Sequence, residues 1–266
     1  MAKASPNIPG NTPPSFKMEG YSVYTTRNGK TIIRAKGGPS GKELKTSPAY
    51  ATTRNNNSEF GGASTAASLL GEALVSIKHL NDDNIQGALT GLIKSIFELD
   101  PGVPGSRPVV FSRAKHLIEG FQLNNTNNFD SVLKTPVTFS IDRTEHLAVL
   151  QLPQLSPGRN FTSPWAYPFF RFRINLGIVR DMTLMEGFGY KPILEDVMGY
   201  TGTFDTEWYP SSTQIIGQEV GLQILDAVFD ESCHLVLSIG IEFATMAYGK
   251  IKPVRNAGCA KILGMA

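Results

Sequence analysis

From about residue 135 the apolar residues of this chain recur at every second position, and that period decides what its C-terminal half can become. Val137, Phe139 and Ile141 alternate with polar neighbours, as do Phe170, Phe172, Ile174, Leu176 and Ile178. The pattern returns at Val220, Leu222 and Ile224, and again at Leu235, Leu237, Ile239, Ile241 and Phe243. Successive side chains of a strand point to opposite faces. Each run therefore offers one apolar face and one polar face, the latter carrying Arg171, Arg173 and Asn175, Glu219 and Gln223, or Ser238 and Glu242. Turn-forming clusters separate the runs: Asp142-Arg143-Thr144-Glu145, Ser156-Pro157-Gly158, Tyr209-Pro210-Ser211-Ser212 and Asp230-Glu231-Ser232. Half-buried strands punctuated in this way predict an antiparallel β-sandwich, Ig-like or similar, over residues 131–266.

Before that point the spacing is helical. Ala66, Leu70, Ala73, Ile77 and Leu80 follow one another in steps of three and four, and so do Ile85, Leu89, Leu92, Ile96 and Leu99. The small residues of Gly61 to Ser68 mark a helix start, with Ser58 or Ser64 as N-cap. Asp83 with Gln86 reads as a capping box for a second helix, which Asp100-Pro101-Gly102 stops. A third helix, capped by Ser112, runs through Ala114, Leu117, Ile118 and Phe121. The fold class is then α+β, with a helical element over 61–130 ahead of the sandwich.

Residues 1–60 form a third region, a basic extended arm with a β-hairpin. The first 55 residues hold nine Lys and Arg against two acids, Glu19 and Glu43, a net of +7. The remaining 211 residues carry a net of −5, so the overall +2 hides a cationic arm joined to an anionic body. Residues 1–18, with Pro6, Pro9, Pro13 and Pro14, have no period and read as extended or flexible. Tyr21 to Arg27 and Lys30 to Arg34 flank Asn28-Gly29, the preferred pair of a two-residue hairpin loop. That loop predicts Tyr24 opposite Ile33 and Thr25 opposite Ile32. Residues 35–57 read as loop. A lone hairpin is marginally stable and needs a surface to lie on.

The motifs of chemistry are weak by comparison. Gly37-Gly38-Pro39-Ser40-Gly41-Lys42 lacks the phosphate-loop spacing, and Glu43 stands where Ser or Thr is required, so it reads as a solvated basic turn. His79, His116, His146 and His234 have no second ligand at metal spacing, and Cys233 and Cys259 read as buried free thiols, with a single bridge between them as the alternative. No nucleophile elbow, zinc-protease motif or dinucleotide fingerprint occurs, so neither catalytic residues nor cofactors are assigned. The aromatic run Trp165 to Arg173 reads as a core strand, with Trp165 and Phe169 as candidate interface anchors. The start of the chain has no apolar signal region, and no window is long and apolar enough for a transmembrane helix. The expectation is a chain made in the cytoplasm that does not enter a membrane and reaches the outside, if at all, by a route other than a signal peptide.

One block resembles something known. Ala35 to Ser40, Thr46 to Tyr50, and Thr53-Arg54-Asn55-Asn56-Asn57-Ser58-Glu59-Phe60-Gly61 are similar to the N-terminal block of uncharacterised proteins from Bacteroidota genomes. There a basic hairpin precedes a Thr-Arg-x-x-x-Ser-Glu-Phe-Gly element that opens a helix. The resemblance covers about residues 20–65, brings no activity, and implies a bacterial, accessory or phage-associated setting. Within it, Arg54 is placed to bond carbonyls or to pair with Glu59, as a latch for the arm. The function expected is that of a structural, self-associating subunit forming filaments, tubes or other homo-oligomers. Its docking arm would use Tyr21, Tyr24, Arg27, Lys30, Ile33, Arg34, Arg54 and Glu59. Nucleic-acid binding through the same arm is the alternative, followed by a binding module or an enzyme of unrecognised type.

Overall fold

A computed structural model describes residues 15–18, 20–26, 29–35, 37–82, 84–193, 201–225 and 228–266. The chain is mixed α and β, its strands paired in antiparallel ladders, and it divides into two compact units, residues 1–54 and 55–266.

The first unit carries a three-stranded sheet of β1 (Ser15–Met18), β2 (Tyr21–Thr25) and β3 (Thr31–Ala35), in that spatial order. Phe16 pairs with Val23 and Val23 with Ile33, while Tyr24 faces Ile32 and Thr25 faces Thr31. The hairpin register is thus one position away from the pairing that a two-residue loop predicts. Thr26 N donates to Lys30 O at 2.8 Å and Gly29 N donates to Thr26 O at 2.9 Å, so three residues rather than two join the strands. The Thr26 hydroxyl adds a bond to Lys30 O at 3.0 Å. Gly29, at φ +75°, takes the left-handed position that ends such a loop. Arg27 and Asn28 lie outside the described residues.

Residues 35–57 are not the loop their composition suggests. Ser40 and Glu43 form a reciprocal capping box at the start of α1 (Gly41–Thr46), with bonds of 3.1 and 3.3 Å. A 3-10 turn over Pro48–Tyr50 leads into α2 (Ala51–Ala73). Helix α2 begins ten residues before the small-residue run, so Ser58 and Ser64 lie inside it and cap nothing.

In the second unit, the buried stripe of α2 (Ala63, Ala66, Ala67, Leu70, Ala73) continues past the helix end through Leu74, Ile77 and Leu80. Helix α3 (Ile85–Glu98) is capped by Asn84, whose side chain accepts from Gly87 N at 3.1 Å; Asp83, the expected cap, is outside the described residues. The helix buries Ile85, Leu89, Ile93, Ile96 and Phe97 and leaves Leu99 exposed. The expected third helix shrinks to a 3-10 turn over Phe111–Ala114 and a single turn over Lys115–Ile118, with Ser112 uninvolved as a cap.

The strands follow: β4 (Thr138–Asp142), β5 (Leu147–Leu152), β6 (Phe169–Arg180), β7 (Met182–Met185), β8 (Gly189–Pro192), β9 (Thr201–Asp205), β10 (Tyr209–Pro210), β11 (Gln218–Gln223), β12 (Cys233–Ala247), β13 (Lys250–Pro253) and β14 (Cys259–Met265). A central sheet runs β10-β6-β12-β13, with β14 also on β12 and β9 also on β6; a second sheet runs β11-β5-β4, and β7 pairs with β8. The central sheet is covered on both faces. On one side Phe170, Phe172, Ile174 and Leu176 of β6 and the odd-numbered positions 235–243 of β12 meet Ala148, Leu150, Leu152, Val220 and Leu222 of the second sheet. On the other, Val179, Val236, Ala260 and Ile262 join the α2 and α3 stripes in a separate core.

Double coverage corrects the expectation that one face of β6 and β12 meets solvent. Residues 233–244 of β12 are buried without a break. The even-numbered positions there include Ser238, Gly240 and Glu242, and small residues are what let the helical layer come down on the sheet. A Cβ built on Gly177 would overlap the Ala73 carbonyl, lying 2.7 Å from its carbon, and one on Gly258 would lie 2.5 Å from Leu80 Cδ2.

Candidate functional site

The residues assigned to the arm divide between the two units. In the first, Tyr24 and Ile32 form one cross-strand pair of the hairpin and Ser22 and Arg34 the next pair on that side. The Arg34 guanidinium lies 5.8 Å from the Tyr24 ring centre. Tyr21 and Ile33 are half-buried and Lys30 is exposed. Within β2 and β3 Val23 is the one buried side chain. A sheet of three short strands is near the margin of independent stability.

Arg54 bonds carbonyls, as expected, but does not pair with Glu59. Its Nη1 donates to Leu44 O at 3.0 Å and to Ser47 O at 2.8 Å, satisfying carbonyls at the C-terminal end of α1. Five residues along a helix rotate a side chain by roughly 140°, so Arg54 and Glu59 leave α2 on different sides. Glu59 belongs to the second unit, where Arg107 Nε and Nη2 each donate to it at 2.7 Å and Gly105 N donates at 2.8 Å. The Arg107 bonds hold the Glu59 carboxyl below its ordinary pKa against the opposing effect of burial. Tyr190 completes this corner by donating its hydroxyl to Arg107 O at 3.0 Å, and burial pushes its pKa up to about 12. Of the aromatic anchors, Trp165 sits in a 3-10 turn over Pro164–Ala166, and Phe169 opens β6, half-buried and in register with Ala244 and Pro210.

The charged cluster that sequence reasoning missed lies on the helical face of the central sheet. Register places Glu242 of β12 opposite Arg171 of β6, and Arg173 of β6 opposite Asp205 of β9. Glu242, 5% exposed, receives Arg171 at 2.7 and 2.8 Å and the His79 Nε2 at 3.0 Å. Arg171 also reaches Asp205 at 3.2 Å and lies 4.6 Å from the Trp208 ring centre, while Arg173 reaches Asp205 at 2.9 Å. Burial works to raise the Glu242 pKa, yet the bonds from His79 and Arg171 and the charges of both arginines hold it below the usual carboxylate value.

Deeper along the same face, Asn175 donates to Ala73 O at 2.7 Å and to Ser238 Oγ at 3.3 Å, and Ser76 Oγ donates to Asn175 Oδ1 at 2.8 Å. Both arms of the network are closed. The Ser76 proton is committed to Asn175, and His79 Nε2 donates to Glu242 at 3.0 Å. A second buried pair, His234 Nε2 to Asp181 Oδ1 at 2.9 Å, shares its carboxylate with Phe111 N at 2.8 Å and ties the 3-10 turn to the start of β12. Among the described residues no group of three or more His, Cys, Asp or Glu is placed to hold a metal ion. Cys233 and Cys259 are buried free thiols whose pKa values burial raises. The only sequence signal for the cluster was the even-odd parity of Arg171, Arg173 and Glu242; the register between β6 and β12 is not written in either strand.

No helix among the described residues is long and apolar enough to cross a membrane. Comparison with protein-family models, with curated proteins and with solved structures gives no match to this chain.

Proposed function

We propose that this chain is a structural, self-associating subunit whose basic N-terminal arm docks on the body of a neighbouring copy. The observation that carries the reading is the sheet of residues 15–35. Neither β1 nor β3 has a described partner on its outer edge, and within β2 and β3 Val23 is the one buried side chain. Strand addition at an open edge is an established mode of protein association. The charge split of +7 over residues 1–55 and −5 over the rest draws arm and body together. In the same reading the β6/β12 sheet and the β4-β5-β11 sheet form a sandwich of the Ig-like kind, with helices as a third layer, and the closed ion pairs of the charged cluster are a structural seam rather than a catalytic site. On this reading the resemblance of residues 20–65 to Bacteroidota proteins implies a bacterial, accessory or phage-associated setting.

The test is electron microscopy of full-length protein beside a chain lacking residues 1–35. Neither hydrophobic core contains a residue before Ala63, so the shortened body is expected to stay folded. Regular filaments, tubes or rings that vanish with the deletion are the expected result. Identical particles from both chains would refute the proposal, and salt-sensitive retention of nucleic acid by the full chain alone would replace it with the polyanion reading.

A further inference from the structure

The outer edge of β4 carries no proline, lysine or bulge between Thr138 and Asp142. Natural edge strands are blunted by proline, lysine, bulges or shortness, because an open row of backbone N–H and C=O groups recruits another strand. Several other outer strands of the second unit follow that rule. β13 reads Lys250-Ile251-Lys252-Pro253, β10 has two residues and ends in Pro210, and β8 is short and ends in Lys191-Pro192. β11 is approached by β9, since a Cβ on Gly202 would lie 3.4 Å from Gln223 O. By contrast β4 reads Thr138-Phe139-Ser140-Ile141-Asp142, pairs with β5 in unbroken register, and has no described partner on its other side. Four of its five residues are exposed, Phe139 at 41% although its ring lies against Gly264, 2.5 Å from where a Cβ there would stand. A cavity of about 310 Å³, lined by Val137, Phe139 and Leu263 among others, opens beside it.

We infer that the β4 edge is the receiving surface for the arm, and that β3 of a second copy pairs with it to extend the β11-β5-β4 sheet. This rests on the self-association reading above. Three features select the occupant. β3 and β4 are both five residues long. The outer edge of β3 has no described partner, and Ile32 and Ile33 supply the β-branched side chains that suit a strand beside Phe139. The arm is cationic and the body anionic, so a second copy brings the complementary charge.

Cysteine cross-linking of full-length chains tests it. Thr31→Cys or Arg34→Cys in one chain is mixed with Thr138→Cys, Ser140→Cys or Asp142→Cys in a mass-tagged second chain, so that registers of both parities are sampled. All five positions are exposed, and the native thiols are buried. A disulfide requires Cβ atoms roughly 3.5–4.5 Å apart. The expected result is a linked species carrying one chain of each kind from at least one mixture. A further chain carrying both cysteines that links only within itself, while no mixture links two chains, would overturn the inference in favour of an arm that completes its own subunit. Oligomers that persist with no linkage in any mixture would overturn the β4 edge while leaving self-association standing, whereas a monomeric full-length protein would end both.

Discussion

Replacing Glu242 by glutamine measures how much the charged seam of the central sheet contributes. The substitution keeps shape and removes one of two carboxylates facing Arg171 and Arg173. Glu242 is 6% exposed at its side chain and the two arginines 21% and 22%, so water screens the group little. Removing one partner of a buried pair costs about 3–5 kcal/mol. Asp205, 30% exposed, still neutralises part of the arginine charge, which brings the expected loss to about 2–3 kcal/mol. For a unit of this size that is a fall in Tm of about 5–10 °C. The depressed pKa adds a pH signature. A carboxylate whose folded pKa lies below its ordinary value of 4.5 stabilises the fold above that value and loses the contribution as pH falls through the folded pKa. Urea or thermal denaturation of E242Q and the parent at pH 7 should therefore differ by the full amount and converge in acid below pH 4.5. Equal stability at pH 7, or a deficit that does not shrink in acid, would refute the reasoning.

Other outcomes follow from the packing. Gly177→Ala drives a Cβ into the Ala73 backbone and should cost more than about 3 kcal/mol, while Gly221→Ala, with nothing within 4 Å, should be neutral or slightly stabilising; comparable denaturation midpoints for the two would contradict this. Asn124→Ala removes donors to Leu80 O at 3.2 Å and Gly258 O at 2.9 Å and an acceptor for Asn127 N at 2.7 Å, a loss of about 2–4 kcal/mol in the same assay. Cys233 and Cys259 should resist a thiol reagent in the native protein and react in denaturant, and rapid native labelling of either would contradict their burial.

How far the sequence carried the fold can be seen strand by strand. The alternation of Leu235 to Phe243 located β12 and its core face, because each apolar position reports its own burial. The same alternation made Ser238, Gly240 and Glu242 look solvent-facing. Their coverings, from Ala73 to Leu80, lie more than 150 residues earlier, and no local pattern encodes that distance. Helix α2 began ten residues ahead of its small-residue run because Arg54, Asn55, Ser58 and Glu59 are held by tertiary contacts. Arg54 bonds the end of α1, and Asn55, Ser58 and Glu59 meet Gly105 and Arg107. An Asn-rich segment has poor helical propensity, and such contacts override it. The hairpin was legible as a hairpin, but its register turned on whether two or three residues close the loop, a choice that Asn28-Gly29 alone does not make. The Glu242 cluster required the register of three strands, which no single strand encodes.

Self-association through the arm is most directly tested by the mass of the full-length protein in solution, measured by light scattering at about 0.01 M and about 0.15 M salt. Between those conditions the Debye length falls from about 30 Å to about 8 Å, which weakens attraction between exposed unlike charges. The account predicts a mass that is a multiple of 28.9 kDa at low salt, reduced at the higher salt. A mass of 28.9 kDa under both conditions would contradict it.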